Sequence, residues 1–351
     1  MIAILALFVL LCLYGIKISW KKEALVDYMS VPHTQSIKGI FILLVFFSHF
    51  NSYVNLTAPT DVLYRNLIRL FGQTMVTLFL FYSGYGVMES IRAKGSKYVA
   101  SLPVNRILAT LFKFDCAVLL FVLLAVILGD HITWGQLVLS LIGWESVGNS
   151  NWYIFVILLL YAFTYAAFAL FGKQKPVVPV AVVTGLSVIY IIVISAWNIR
   201  PYHWYDTVLC YALGMFYSLY RKPFEKIVNR NRLTYLCALA VTGGLFLVSM
   251  KWSSLPGMGY LIHLAFTMTV VIATMRITLH NRVLQFCGKN LFELYILQRI
   301  PMIIFSRMGW ASNPVAYFAV CMIATLLIVM PFKLISDKAW KQLTVKKKQP
   351  V

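Results

Sequence analysis

Long runs of apolar residues, separated by short polar segments, follow one another along the whole chain. Apolar runs of about 18 residues or more are typical of helices that cross a bilayer. The pattern therefore predicts an all-α, polytopic membrane bundle of about eleven transmembrane helices. The predicted spans are residues 2–19, 36–54, 68–88, 107–128, 152–171, 177–197, 205–220, 233–250, 259–276, 287–307 and 315–334.

The two ends of this pattern need separate interpretation. No basic residue precedes the first apolar run, and Lys17, Lys21 and Lys22 follow it in place of a small-residue cleavage site. We therefore expect residues 1–20 to be a retained, additional N-terminal transmembrane helix and not a signal peptide. Residues 335–351 form a basic tail for which no span is predicted.

The connections between the predicted spans alternate in charge. Every second connection is rich in lysine and arginine, and the connections between them carry Arg65, Arg200 and Lys251 as their clear basic residues. Because basic loops stay in the cytoplasm, this predicts an outer N-terminus and a cytoplasmic C-terminus. The longest outer connection, residues 129–151, has an apolar middle too short to span, which predicts a re-entrant or interfacial helix.

Composition agrees with the membrane class. The 351 residues are 61% hydrophobic and 12% charged, whereas soluble domains carry about 25% charged residues. The net charge of +20 lies in short loops beside apolar runs, which argues against a nucleic-acid-binding protein. The six scattered cysteines form no close pair and no metal-ligand spacing, so no metal site is expected.

Most tryptophans lie near the predicted outer ends of spans. They are Trp134, Trp144, Trp152, Trp197, Trp204, Trp252 and Trp310. Two interpretations stay open. An aromatic belt at the membrane interface is one, but a belt should populate both faces. The other is an outward-facing carbohydrate site, because aromatic rings stack on sugar rings.

The second span contains a lysine and a histidine in register. Lys38 and His49 are eleven residues apart, which places both side chains on one helix face, about 16 Å apart along the axis. Lys38 could be a snorkelling anchor at the membrane surface. His49 lies deeper, and ionisable groups at that depth are candidates for function. A neutral imidazole suits a general base near pH 7.

Five segments, in order, resemble the acyltransferase-3 family of membrane acyltransferases. The family's opening span has a basic residue, ten residues and a histidine, as Lys38 and His49 do here. Ser83 and Gly84 match its Phe-Phe-x-x-Ser-Gly segment. The matching stretches are SIKGIFILLVFFSHF, LFLFYSGYGV, KYVASLPVNRILATLF with Arg106, NWYIFVILLLY with Trp152, and CGKNLFELYILQRIP. The resemblance covers residues 34–334, the predicted membrane acyltransferase domain.

The sequence departs from the family pattern at three positions. Lys38 replaces the usual arginine and offers a point charge instead of a planar fork. Gln35 stands near a position that is often acidic in the family. Gln298 stands where the late histidine of a Tyr-x-x-His segment is expected, so that side chain cannot act as an acid or base.

The resemblance implies transfer of an acyl group, usually acetyl, from acyl-coenzyme A to a hydroxyl of a cell-surface or lipid-linked polysaccharide. His49 would be the general base and Lys38 the second catalytic residue. Acetyl-CoA would be a substrate, with no tightly bound cofactor. Lys38, Ser83, Gly84 and Arg106 would hold the anionic donor. Small residues there could instead serve close helix packing.

Further polar residues are candidates for acceptor binding. They are Asn51, Trp152, Arg200, His203, Trp204, Asp206, Glu293 and Arg299. Glu293 and Arg299 are six apart on one predicted span, so each needs a partner on another helix or a polar cavity. Structural pairing and substrate contact both stay open for them, as they do for Lys113 and Asp115.

These features predict a multi-pass protein of the cell membrane. Its expected partners are acyl-CoA, a glycan acceptor and the lipid bilayer, with no nucleic acid, and a homo-oligomer is compatible with them. Two alternatives remain: a transporter or flippase of a glycan or its lipid-linked precursor, and a catalytically inactive relative. No repeated half with matching broken helices is visible, which speaks mildly against a transporter.

Overall fold

A computed structural model describes residues 1–20 and 27–346. Within them, sixteen α-helices and one two-stranded sheet follow one another. They are α1 (Ile2–Leu13), β1 (Ile16–Ile18), α2 (Val31–Phe50), α3 (Val62–Phe71), α4 (Thr74–Lys94), α5 (Ser96–Leu102), α6 (Ala109–Leu128), α7 (Trp134–Leu141), α8 (Trp152–Phe171), α9 (Val177–Ala196), α10 (Leu209–Val228), α11 (Arg232–Lys251), α12 (Met258–Thr274), β2 (Ile277–Leu279), α13 (Arg282–Lys289), α14 (Leu291–Leu297), α15 (Arg299–Arg307) and α16 (Pro314–Lys346).

Seven helical segments among the described residues are long and apolar enough to cross a membrane. They contain α2, α4, α6, α8, α9, α11 and α16. The helical, multi-pass membrane class is therefore confirmed. The other predicted spans correspond to α1, α10, α12 and the interrupted series α13–α15, which are shorter, more polar or broken. A total of about eleven spans and their orientation stay predictions.

The N-terminal segment is not the single helix predicted for residues 2–19. Helix α1 ends at Leu13, and β1 pairs antiparallel with β2, with Ile16 opposite Leu279. Gly15 ends the helix with a φ of +78°, and an added Cβ there would lie 2.4 Å from the His280 carbonyl oxygen. Lys21 and Lys22 lie outside the described residues.

The predicted span 287–307 is also interrupted. It comprises α13, α14 and α15, with breaks at Asn290 and Gln298. Asn281 caps α13 by accepting hydrogen bonds from the Val283 and Leu284 amides at 3.0 and 3.1 Å. At its other end, Gly288 packs so tightly on α2 that an added Cβ would lie 1.8 Å from the Gln35 carbonyl oxygen. This contact sets α13 beside the beginning of α2.

Helices α4 and α10 form another close contact through glycines. A Cβ added at Gly84 would lie 2.0 Å from the Tyr211 carbonyl oxygen, and one added at Gly214 would lie 2.0 Å from the Phe81 carbonyl oxygen. Small residues at such crossings let two backbones approach closely. Gly84 is therefore a packing residue in this structure, which is the alternative that the sequence left open.

Two opposite faces organise the bundle. We call the side that carries the start of α2, the end of α4 and Lys289 the basic face, because these segments line one cavity. The tryptophan-rich face carries residues 129–151, in which α7 forms the predicted short helix, and the segment 197–206. An ion pair of 2.6 Å joins these two segments through Glu145 and Arg200. On the basic side, α16 extends well beyond the predicted end at residue 334.

Candidate functional site

A cavity of 720 Å³ opens among α2, α4, α8 and α14 near the basic face. It brings together Lys38, Ser83 and Arg106, three of the four residues predicted to bind the donor. A second cavity of 310 Å³ shares Ser83, Arg106, Tyr153 and Tyr161 with it. Gly84, the fourth predicted residue, lines neither cavity. It lies at the close contact between α4 and α10 instead. The structure therefore brings Lys38 on α2, Ser83 on α4 and Arg106 in the segment before α6 to one cavity.

The larger cavity is positively charged. Among the described residues, Lys38, Arg106 and Lys289 line it without a carboxylate within 4.0 Å. Its acidic residue, Glu89, is engaged by Arg92 at 2.8 Å and by the Ser218 hydroxyl at 2.6 Å. Free cations around a cavity favour an anionic ligand such as a phosphate.

The sequence did not identify Lys289 as a candidate site residue. It lies within the matched stretch CGKNLFELYILQRIP, but no spacing along the chain relates it to Lys38. The packing of α13 on α2 brings both lysines to one cavity. Lys289 is exposed, so it marks the opening of the cavity on the basic face.

His49 lies near the other end of α2, apart from the cavity. Its Nδ1 is 3.5 Å from the Ser150 hydroxyl, at the limit of a hydrogen bond. Its ring centroid is 5.9 Å from that of Tyr295. Tyr295 in turn contacts Tyr153 edge to face at 5.4 Å, and Tyr153 lines the cavity. An aromatic pair therefore connects the cavity lining with His49.

Arg299 and Glu293 each find partners on other elements. The Arg299 Nε donates to the Tyr53 hydroxyl at 3.2 Å, and its guanidinium lies 5.7 Å from the Tyr53 ring. Lys113 binds Glu293 at 3.4 Å and Asp337 at 2.5 Å. These contacts support structural pairing for both residues, and Glu293 additionally lines the smaller cavity.

Arg200 and Trp204 are tied into a closed cluster on the tryptophan-rich face. The guanidinium of Arg200 lies 4.3 Å from the Trp144 ring centroid and 5.0 Å from that of Trp204. Glu145 binds the same guanidinium at 2.6 Å. Trp204 is buried, at 4% exposure. We call Trp144, Glu145, Arg200 and Trp204 the Arg200 cluster. The guanidinium and the indole faces with which a sugar would interact are already engaged with one another, so we interpret this cluster as a packing feature.

Trp152 and His203 form a more open pair beside that cluster. Their rings meet edge to face at 5.6 Å, and both are partly exposed. Partial burial lowers the pKa of His203, although the Asp206 carboxylate opposes this effect. A neutral imidazole and an indole can both contact a sugar through hydrogen bonds and stacking.

The remaining acceptor candidates are less available. Asp206 is buried and its Oδ2 is 3.0 Å from Nε2 of His263, a buried histidine that the sequence did not single out. Asn51 follows His49 by two positions at the end of α2, on the tryptophan-rich side. Four of the seven tryptophans near the predicted outer ends of spans are exposed, as in an interface belt: Trp134, Trp197, Trp252 and Trp310.

Comparison with known proteins identifies the family. A profile described as an acyltransferase domain, that of the acyltransferase-3 family, matches residues 35–334. No match was found among curated proteins or solved structures. Since the matched range covers most of the chain, including Lys38, His49, the cavity and the helices around it, this protein belongs to the acyltransferase-3 family of membrane acyltransferases.

Proposed function

We propose that this protein is a membrane O-acyltransferase of the cell membrane. It would transfer an acyl group, acetyl in the first instance, from acyl-CoA to a hydroxyl of a cell-surface or lipid-linked polysaccharide. The observation that carries the proposal is a cavity lined by Lys38, Arg106 and Lys289, in a chain of an acyltransferase family. None of these three cations has a carboxylate within 4.0 Å among the described residues.

The cavity suits coenzyme A by charge and shape. Its phosphates would contact the cations, with Lys289 at the opening and Lys38 and Arg106 further along. Ser83 and Gly86 leave room between helices, and an added Cβ at Gly86 meets no atom within 4 Å. The narrow pantetheine arm could therefore extend along α4 toward Tyr153. This places the adenosine portion at the basic face, which the charge pattern predicts to be cytoplasmic.

The reaction needs one base and one leaving group. The acceptor hydroxyl attacks the thioester carbonyl carbon, and neutral His49 takes the hydroxyl proton as the new C–O bond forms. Collapse of the tetrahedral intermediate breaks the C–S bond, and the thiolate leaves with the imidazolium as a proton source. The 3.5 Å contact with Ser150 holds the ring at its Nδ1 side.

The acceptor would enter from the tryptophan-rich face. Trp152 begins α8 directly after Ser150, the residue that contacts His49, and stacks edge to face with His203. A sugar held on this pair would lie within one helical turn of the His49 contact. The Arg200 cluster supports the loop that carries His203 and is not itself needed to bind the sugar.

Release of coenzyme A thiol tests the proposal. Purified protein is incubated with acetyl-CoA and a glycan extract from its membrane, and free thiol and acylated glycan are measured for the wild type and His49→Ala. We expect release by the wild type and a loss of at least about 100-fold in His49→Ala, because general-base catalysis contributes about 10²–10⁴-fold. His131→Ala, at an exposed histidine on the same face, is the matched control.

The opposite outcome favours another function. Absence of release by the wild type across several acyl-CoA donors and glycan acceptors would contradict the acyltransferase proposal. Movement of a labelled lipid-linked glycan across vesicles, unaffected by His49→Ala, would support a transporter. Inactivity in both assays would support an inactive relative.

A further inference from the structure

Tyr295 is a buried tyrosine whose hydroxyl has no hydrogen-bond partner among the residues that the structure describes. The side chain is 1% exposed, and the backbone of Tyr153 lies beside its oxygen. Buried hydroxyls without partners cost free energy. Such a group in a well-packed site is a candidate for contact with a ligand.

The surroundings of this hydroxyl contain further hydrogen-bond donors. Tyr153 is the second residue of α8, and no side chain caps the beginning of that helix. The first amides of a helix lack intrahelical acceptors, and the helix dipole makes this end positive. The amides of Trp152 and Tyr153 have no backbone acceptor among the described residues. Ser150, just before them, contacts His49.

We propose that Tyr295 is a catalytic residue whose hydroxyl, with the first amides of α8, stabilises the negative oxygen of the tetrahedral intermediate. This inference rests on the proposed acyl transfer. As the acceptor oxygen bonds to the carbonyl carbon, the C=O electron pair moves onto the carbonyl oxygen. Tyr295 donates a hydrogen bond to that oxygen while His49 holds the proton taken from the acceptor.

His49 and Tyr295 lie close enough together to act on the same carbonyl group, one as the base and the other as the donor to the carbonyl oxygen. The Tyr295 ring centroid lies 5.9 Å from that of His49 and 5.4 Å from that of Tyr153. Tyr153 lines the proposed donor cavity, and Tyr295 packs against Tyr153 just beyond that lining. A thioester that extends past Tyr153 would therefore lie near both Tyr295 and His49.

The backbone around Tyr295 is fixed by the break between α14 and α15. The Gln298 side chain donates to the Tyr295 carbonyl oxygen at 3.3 Å. Arg299 is held on Tyr53 at 3.2 Å. The Gln298 amide therefore contacts the main chain at Tyr295.

Tyr295→Phe tests this inference. Removal of an unpartnered hydroxyl leaves no polar atom without its bond, so the variant should fold as the wild type does. We expect kcat to fall by about 10²–10³-fold, the usual effect of removing one oxyanion donor. The KM for acetyl-CoA should stay within about twofold, since the bond forms in the transition state and not in the ground state.

Tyr317→Phe is the matched control. Tyr317 is equally buried, but its hydroxyl donates to the Met302 carbonyl oxygen at 2.7 Å. Its loss should lower the melting temperature and leave kcat unchanged. A kcat for Tyr295→Phe within twofold of the wild type overturns the inference, as does a fall that only follows loss of folded protein. In that case, activity of the wild type and inactivity of His49→Ala would still support acyl transfer itself.

Discussion

The proposed donor cavity, which Lys38, Arg106 and Lys289 line, and the Arg200 cluster use cations in opposite ways. In the cavity, Lys38, Arg106 and Lys289 face open volume without a carboxylate within 4.0 Å among the described residues. In the cluster, the guanidinium of Arg200 is bound by Glu145 and lies between two indole rings. The sequence analysis named residues of both regions as candidates for substrate binding. Residue type alone does not distinguish a cation that is available to a ligand from one that already has partners.

The contrast shows which charge is available to a ligand. Like charges held together repel one another, and this cost is offset when an anion enters. A cation that already has a carboxylate and aromatic faces gains little from a new partner, because the new contact must replace the old ones. Unpaired charge around a cavity therefore indicates binding, whereas satisfied charge indicates structure.

Of the substitutions in the two regions, charge reversal at Lys38 should have the largest effect. Lys38→Glu places a carboxylate against the phosphates and should raise the KM for acetyl-CoA by about 100-fold, or about 2.7 kcal/mol. Steady-state kinetics at fixed ionic strength measure it. The control is Lys94→Glu, the same change at an exposed lysine on the basic face. Equal effects of both variants would contradict a specific role for Lys38.

Removal of the Arg200 side chain should have an effect of intermediate size, on the stability of the fold and not on substrate binding. Arg200→Ala loses the Glu145 pair and both indole contacts, which together should lower the free energy of unfolding by about 1–2 kcal/mol. The KM for the glycan acceptor should not change. Thermal unfolding in detergent and the acceptor kinetics are compared, with Arg200→Lys as an intermediate that keeps only the charge pair. A raised KM for the acceptor with unchanged stability would make the cluster an acceptor-binding site.

Lys289→Ala should have the smallest effect. Because Lys289 is exposed at the cavity opening, its attraction for a phosphate is screened and should be worth less than about 1 kcal/mol, or up to about fivefold in KM. The difference from the wild type should shrink as salt is raised from 50 to about 500 mM. A difference independent of salt would place Lys289 in direct, desolvated contact with the donor.

The sequence predicted some elements well because their signals are local. Residues 152–171 form a helix with the predicted ends, since a continuous apolar run needs no distant contact to be helical in a membrane. The N-terminal segment and residues 287–307 were predicted as unbroken helices, and both predictions were wrong. Their breaks depend on Gly15 beside the His280 carbonyl and on α13 packing against α2, contacts between residues far apart in the chain.

By itself, the sequence determined the membrane class, the family and the register of Lys38 and His49 on one helix. Apolar run length, motif order and helical period are all properties of neighbouring residues. The tertiary structure decided that Lys289 joins the cavity, that Gly84 packs against α10 and that Tyr295 lies between Tyr153 and His49. Such relations depend on how helices cross, and the crossing is set by the close contacts of glycines and aromatic rings across the whole bundle.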